Sequence, residues 1–182
     1  MIDYVVGIDV GSTSVKVLAA GLDGTDVAVA SRRTPWTDLE GGRAECEATV
    51  LLDLVVALIH ELDAVLAARG PYRVIAAGTS GMAEAGVVLD PAGAAKAPVM
   101  AWFDPRGGEE IAATPPEFRA AFPGRTGLPV GPMASLSKLL HLRGIGVDLT
   151  DATFVNLPEF VAHSLGAPRV AESSLVSRTG LI

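Results

Sequence analysis

Residues 5–21, VVGIDVGSTSVKVLAAG, set two apolar runs on either side of a turn that holds a carboxylate, a glycine, three hydroxyls and a cation. Asp9 lies near the end of the first run, Gly11, Ser12, Thr13 and Ser14 make the turn, and Lys16 sits in the second run. Residues 4–9 read as a buried strand. Residues 14–20 read as a second, with Val15 and Val17 on one face and Lys16 and Leu18 on the other. The connection is short, so the two strands are expected to pair as a hairpin. Asp23-Gly24 marks a further turn, and residues 26–33 make a third strand. The chain is therefore expected to begin as an antiparallel three-stranded meander.

The first turn has the composition of a phosphate site. Gly11 has no Cβ, so backbone there can approach a ligand closely. Successive N–H groups in a turn form an anion-binding concavity, to which Ser12, Thr13 and Ser14 add hydroxyl donors and Lys16 a positive charge. Asp9 would repel phosphate directly. It fits if magnesium lies between, bound directly or through water. The spacing is not that of a Walker A loop. Nor is it a dinucleotide fingerprint, because the turn joins two strands and does not open a helix. The plainer alternative is a polar hairpin turn in which Asp9 and Ser12 bond to nearby backbone.

Further along, residues 34–45 read as a loop with proline and paired glycines. Leu51, Val55, Leu58, Leu62 and Val65 recur at helical spacing within residues 46–69, and Gly70-Pro71 ends that run. Residues 73–79 read as a strand reached by a helical crossover, hence parallel. Residues 86–90 and 97–103 read as two more strands, the stretch 98–103 also expected to be parallel. Beyond residue 107, Pro115, Pro116, Pro123, Pro129 and Pro132 break the chain into short pieces, followed by helical patterns at 134–143 and 157–165. This divides the chain into a sheet core over 1–106 and a helical, proline-rich subdomain over 107–182.

The 182 residues are 49% hydrophobic and 19% charged, which suits a packed core. A formal net charge of -7 removes any general attraction to nucleic acid or an anionic membrane. No apolar run approaches the roughly 20 residues of a membrane span, and the N-terminus lacks a signal-peptide pattern, so a cytoplasmic protein is expected. The single cysteine, Cys46, can form neither an internal disulfide nor a metal cage alone. Placed at the opening of the helix, its thiol pKa would be lowered slightly. His60 falls on the polar helix face, His141 reads as a packing residue, and His163 sits where it would favour a helix dipole.

GIDVGSTSVKVLAAG resembles the first phosphate-binding hairpin of the actin and hexokinase superfamily. Three further stretches narrow this to the FGGY carbohydrate kinases. GTSGMAEAGVVLDPAGAAKAPVMAWFDPRG is similar to their strand–loop–strand ending in Trp-x-Asp-x-Arg. RTGLPVGPMASLSKLLHLR is similar to their Thr-Gly-Leu-Pro stretch and Lys-Leu-Leu helix. VNLPEFVAHSLGAPRVAESSLVSRTGLI is similar to the close of their first domain. TGLPVGPM with SLVSRTGL looks nearest the gluconate-kinase branch, and Met133 stands where glycerol kinases carry a tyrosine.

The resemblance implies an α/β, ribonuclease-H-like (actin-like ATPase) domain with a mixed sheet, an antiparallel N-terminal meander and flanking helices. It implies ATP and Mg2+ as cofactors and phosphorylation of a hydroxyl on a small-molecule sugar, polyol or sugar acid. Asp9 matches the magnesium-organising aspartate, and Gly11, Ser12, Thr13, Ser14 and Lys16 match the phosphate turn. Glu84 matches an acceptor-contacting position, and a carboxylate there accepts two hydroxyl hydrogen bonds. Met82 and Ala83 depart from the family's usual Gln-Met or Gln-Arg. Trp102, Asp104 and Arg106 match the segment lining the acceptor side, where tryptophan packs on a sugar face and the charged pair binds hydroxyls or an acid group. On the residues alone, Trp102 can equally be core and Asp104 can pair with Arg106. The family's catalytic base belongs to a C-terminal domain that the resemblance places outside this chain, so the chain alone is expected to be inactive. Homodimerisation is left open. Two other readings fit the opening motif, a non-catalytic nucleotide-binding or regulatory module and a dehydratase-activase-type ATPase.

Overall fold

The computed structural model describes residues 1–181. Strands β1 (Ile2–Val10), β2 (Ser14–Gly21) and β3 (Asp26–Arg33) form the expected meander. β1 pairs antiparallel with β2, and β2 antiparallel with β3. The period-2 pattern places Val15, Val17 and Ala19 on the buried face together with Ile8 and Val10. It also places Asp9 beside its cross-strand partner Lys16.

Helix α1 (Ala48–Ala67) lies across β2 and β3. It buries Leu51, Val55, Leu58, Leu62 and Leu66, whereas Val65 is on the exposed side. The stripe continues by a step of four from Leu62, so the residue expected at the end of the core face is displaced by one. β6 (Tyr72–Gly81) then runs parallel to β1, completing the order β3-β2-β1-β6.

Several expectations are corrected. Residues 34–45 are not simply loop. They hold β4 (Thr37–Leu39) and β5 (Arg43–Cys46), an antiparallel pair whose chain reversal uses Gly41 and Gly42 at positive φ. The expected parallel strand over 98–103 is only the short β8 (Val99–Met100), and it runs antiparallel to β5. After Met100 the chain turns, with the Asp104 N–H donating to the Ala101 carbonyl. β7 (Gly86–Leu89) pairs antiparallel with β9 (Thr153–Asn156), a strand not anticipated from the sequence. The proline-rich region forms helices, α2 (Gly108–Ala112) and α3 (Pro116–Thr126). Pro116 occupies a first-turn position, where its missing N–H costs nothing. α4 (Ser135–Gly144) and α5 (Leu157–Ser164) match the expected helices, and a short α6 (Ser173–Val176) follows. α5 opens on a capping box formed by Asn156 and Glu159. No helix among the described residues is long and apolar enough to cross a membrane.

Cys46 is also corrected. It ends β5 and lies in the core, just before the N-cap of α1 and not inside the helix, and burial sets the direction of its shift. Burial pushes its thiol up to about 12, helped by the negative charges of Glu47 and Glu45. A change from an ordinary value of 9.0 to about 12 lowers the thiolate fraction about a thousandfold at neutral pH. Cys46 is therefore expected to resist a disulfide reagent in the native protein and to react quickly in denaturant. Equal rates in the two states would show that the side chain is not buried.

Candidate functional site

The turn between β1 and β2 is held by residues that arrive from the following segment. The Thr34 hydroxyl donates to the Gly11 carbonyl at 2.6 Å, the Trp36 indole N–H to the Ser12 carbonyl at 2.8 Å, and the Thr34 N–H to the Thr13 carbonyl at 3.1 Å. All three carbonyls are thus drawn into the protein. In a trans peptide the N–H points away from the preceding C=O. The N–H groups of Ser12 and Thr13 consequently face outward, and neither donates to another described residue. This is the geometry of an anion cradle. Thr34 and Trp36 were not anticipated as part of it. Their only sequence signal is their position immediately after β3.

Gly11 is required by space. A Cβ there would lie 2.8 Å from the Ser14 carbonyl oxygen and 3.6 Å from an Asp9 carboxylate oxygen. The Gly11 N–H closes the turn on that same Ser14 oxygen at 3.1 Å. Asp9 is half-buried, with the Ser80 hydroxyl 3.4 Å from one carboxylate oxygen, and Lys16 is exposed beside it. Asp9, Lys16, Thr79 and Ser80 line a groove of about 510 Å³ on the sheet. Among the described residues no three His, Cys, Asp or Glu side chains gather to hold a metal by themselves. A single carboxylate beside outward N–H groups suits Mg2+ that takes its other ligands from phosphate and water.

The residues expected on the acceptor side make different contacts. Met82 is core, its N–H donating to the Val10 carbonyl at 2.9 Å. Glu84 is buried and holds a left-handed backbone, φ 65°, which is uncommon for a residue with a side chain. One of its carboxylate oxygens accepts from Arg178 Nε at 2.6 Å. Arg178, 94 residues away, was not anticipated. Trp102 donates from its indole to Ser12 Oγ at 2.9 Å, tying it to the cradle.

Asp104 is fully buried and Arg106 partly so. The two form a fork, with Asp104 Oδ2 accepting from Arg106 Nη2 at 2.7 Å. Asp104 also accepts from the Ala44 N–H at 2.8 Å and the Arg106 N–H at 2.9 Å. Arg106 reaches Glu45 at 2.7 Å through its other terminal nitrogen. Burial alone would raise the Asp104 pKa, but the hydrogen bonds from Arg106 and Ala44 and the guanidinium charge outweigh it and hold the carboxyl below its ordinary value. The pair thus pins the loop after β8 to β5.

α4 organises both loops. Ser135 Oγ donates to the Glu84 carbonyl at 3.0 Å. Lys138 Nζ donates to the carbonyls of Asp104 and Arg106. Burial pushes the Lys138 pKa down to about 8, with the Asp104 charge opposing and the Arg106 charge reinforcing that shift. Gly107, at φ 91°, brings this loop onto α4, since a Cβ there would lie 2.2 Å from the Ser137 carbonyl oxygen. Neither Ser135 nor Lys138 was anticipated in this role.

The histidines stand apart from these groups. His60 is exposed. His141 Nδ1 lies 2.7 Å from a Glu110 carboxylate oxygen, joining α4 to α2, and His163 Nδ1 lies 3.0 Å from the Ala167 carbonyl.

No protein-family model matches the chain, and no curated protein does. Solved structures do match. A gluconate kinase from Lactobacillus acidophilus superposes with a TM-score of 0.87 at 23% identity, over 100% of this chain and 37% of that one. A xylulose kinase from Rhodospirillum rubrum superposes with a TM-score of 0.86 at 29% identity, over 98% of this chain and 38% of that one. A Plasmodium falciparum glycerol kinase with ADP gives 0.87 at 19% identity, over 100% and 38%. The chain thus has the actin-like ATPase fold of the N-terminal domain of FGGY carbohydrate kinases, and it spans well under half the length of these neighbours. The three are alike in TM-score, so the likeness prefers no branch among gluconate, xylulose and glycerol kinases.

Proposed function

We propose that this chain is the nucleotide- and acceptor-binding first half of an ATP-dependent carbohydrate kinase. The longer protein transfers the γ-phosphoryl group of ATP to a hydroxyl of a sugar, polyol or sugar acid. The observation that carries this reading is the cradle, in which inward carbonyls turn the Ser12 and Thr13 N–H groups outward beside the Asp9 carboxylate. The fold shared with kinases supports it.

In this reading the Ser12 and Thr13 N–H groups and hydroxyls bind phosphate oxygens, and Lys16 adds charge at the rim. Asp9 holds Mg2+, directly or through water. When bound, the ion neutralises phosphate charge and orients the transferred group. Glu84 accepts hydrogen bonds from acceptor hydroxyls through the oxygen that Arg178 leaves free. The proton of the attacking hydroxyl is taken by a base in the C-terminal domain, and closure of the two domains excludes water.

The dehydratase-activase reading needs cysteine available to a shared iron–sulfur cluster. Cys46 is sealed in the core, which favours the kinase reading.

The test compares two proteins, the 182-residue chain and the same chain extended through the C-terminal domain. The extended protein is expected to release ADP in a carbohydrate- and Mg2+-dependent manner, and the shorter one to show no meaningful turnover. Robust carbohydrate-dependent turnover by the shorter chain, free of contaminating kinase, would overturn the placement of the base. No turnover by the extended protein with any sugar, polyol or sugar acid would overturn the function.

A further inference from the structure

The chain has two tryptophans, and both spend their single polar atom on one residue. Trp36 Nε1 donates to the Ser12 carbonyl at 2.8 Å, and Trp102 Nε1 donates to the Ser12 hydroxyl oxygen at 2.9 Å. The first bond acts on the backbone. It draws in the carbonyl between residues 12 and 13 and so aims the Thr13 N–H outward. The second acts on the side chain.

An indole N–H is a donor only, whereas a hydroxyl has one donor and two acceptor lone pairs. Trp102 therefore occupies a lone pair of Ser12, and the Ser12 O–H points away from the indole. No described residue accepts a hydrogen bond from that O–H. Ser12 is half-buried and edges, with Thr13, a pocket of about 620 Å³, so the hydroxyl is open to a ligand. A hydroxyl whose oxygen already accepts is also the better donor, because successive hydrogen bonds polarise one another.

The chain on either side of Trp102 is anchored without Ser12. Ala44 of β5 clasps it twice, its carbonyl accepting from the Ala101 N–H at 2.9 Å and its N–H donating to Asp104 Oδ2 at 2.8 Å. From α4, Lys138 holds the Asp104 carbonyl. The indole is thus brought to the turn by a fixed loop, 90 residues along the chain from Ser12. Such a donor needs no rearrangement when a ligand arrives.

We infer that Trp102 is a positioning residue of the phosphate turn, its indole N–H holding the Ser12 hydroxyl as a donor aimed at a bound polyphosphate. The inference rests on the kinase reading for the identity of that ligand. It deepens that reading by tying the loop after β8 to the phosphate contacts. It uses the indole nitrogen and makes no demand on the ring face.

Two tryptophans give two indole cross-peaks in a heteronuclear NMR spectrum of the isotopically labelled 182-residue chain, assigned by Trp36→Phe and Trp102→Phe. Ser12→Ala removes the acceptor of Trp102 and keeps that of Trp36. The Trp102 cross-peak is therefore expected to move much further than the Trp36 cross-peak. Calorimetric titration with magnesium tripolyphosphate gives affinities, and wild type is expected to bind saturably. Ser12→Ala is expected to weaken binding about tenfold, the loss of one hydrogen bond to a charged group. Trp102→Phe is expected to weaken it about threefold, the cost of freeing a hydroxyl among three staggered positions. The double variant decides between roles. With Ser12→Ala already in place, Trp102→Phe is expected to change nothing further, whereas a tryptophan that serves only the fold would weaken both backgrounds alike. Thermal melts verify folding; should Trp102→Phe fail to fold, Ser12→Ala alone decides, through the Trp102 cross-peak and its own affinity. The inference is overturned if wild type does not saturate, if Ser12→Ala leaves the Trp102 cross-peak in place, if either single substitution leaves the affinity unchanged, or if the two effects add. Additive effects together with carbohydrate phosphorylation by the extended protein remove the role of Trp102 and leave the kinase reading intact. The expected non-additive pattern, with no phosphorylation by the extended protein, sinks the kinase reading and leaves Trp102 in its role.

Discussion

Asp9→Asn is expected to lower kcat of the full-length enzyme by about 100- to 1,000-fold, the range typical of removing one electrostatic contact made to charge that develops in the transition state. KM for the carbohydrate should change little. The substitution keeps the shape of the side chain and removes one negative charge next to Lys16 and Ser80. In the proposed kinase that charge would serve the metal and the phosphate, whose demand is greatest as the phosphoryl group moves. Glu84→Ala should behave in the opposite way, raising KM for the acceptor and admitting other sugars, because a site built to bond hydroxyls discriminates through groups that would otherwise lie unpaired. Asp9→Asn keeps side-chain volume and should fold, whereas Glu84→Ala removes a buried carboxylate and its tie to Arg178, so a thermal melt accompanies its kinetics. Steady-state kinetics against ATP and a panel of sugars, polyols and sugar acids separate the two effects. If Asp9→Asn moves only carbohydrate affinity while Glu84→Ala leaves every carbohydrate constant unchanged, the two halves of the site have been exchanged.

Those two residues also mark what was readable in the sequence. Asp9 sits in a hairpin whose pattern is local, with alternating apolar positions, a glycine turn and a second alternating run. Local patterns survive folding, so the meander, α1 and the parallel β6 all stand where the sequence places them. Glu84 was visible only through resemblance, and its tie to Arg178 crosses 94 residues. No spacing rule announces such a pair.

The hairpin of β4 and β5 was missed for a related reason. Its residues 37–39 are all exposed, so no burial period marks them, and β5 is defined by pairing with β8 more than fifty residues later. Reading β5 as loop moved Cys46 onto a helix end and reversed the direction of its pKa shift. The same omission hid Trp36, and with it one side of the cradle. Tertiary partners, not local propensity, decide this segment.

The Asp104–Arg106 fork is where the sequence left two uses open, acceptor binding or internal pairing, and the internal bonds are the ones seen. Asp104→Asn is accordingly expected to destabilise the 182-residue chain by about 3 kcal/mol, toward the low end for breaking a buried ion pair because Arg106 keeps Glu45. An asparagine turns one oxygen into a donor among the Ala44 N–H, the Arg106 N–H and the guanidinium, all of which are donors already. For a domain of this size that loss lowers Tm by about 6–12 °C. The pH dependence carries a second signature. The folded carboxyl has a pKa below its ordinary value of 3.8, so the unfolded state binds the proton first as pH falls. The contribution of Asp104 is therefore complete above about pH 4 and is lost as pH drops through the folded value. Asp104→Asn should be less stable than wild type at neutral pH, with the difference narrowing in acid. Thermal melts at pH 7 and near pH 3 measure both. A variant that melts with wild type at pH 7 would mean that the fork does not hold the loop after β8 to β5. The Asp104 carboxylate would then be free for an acceptor hydroxyl.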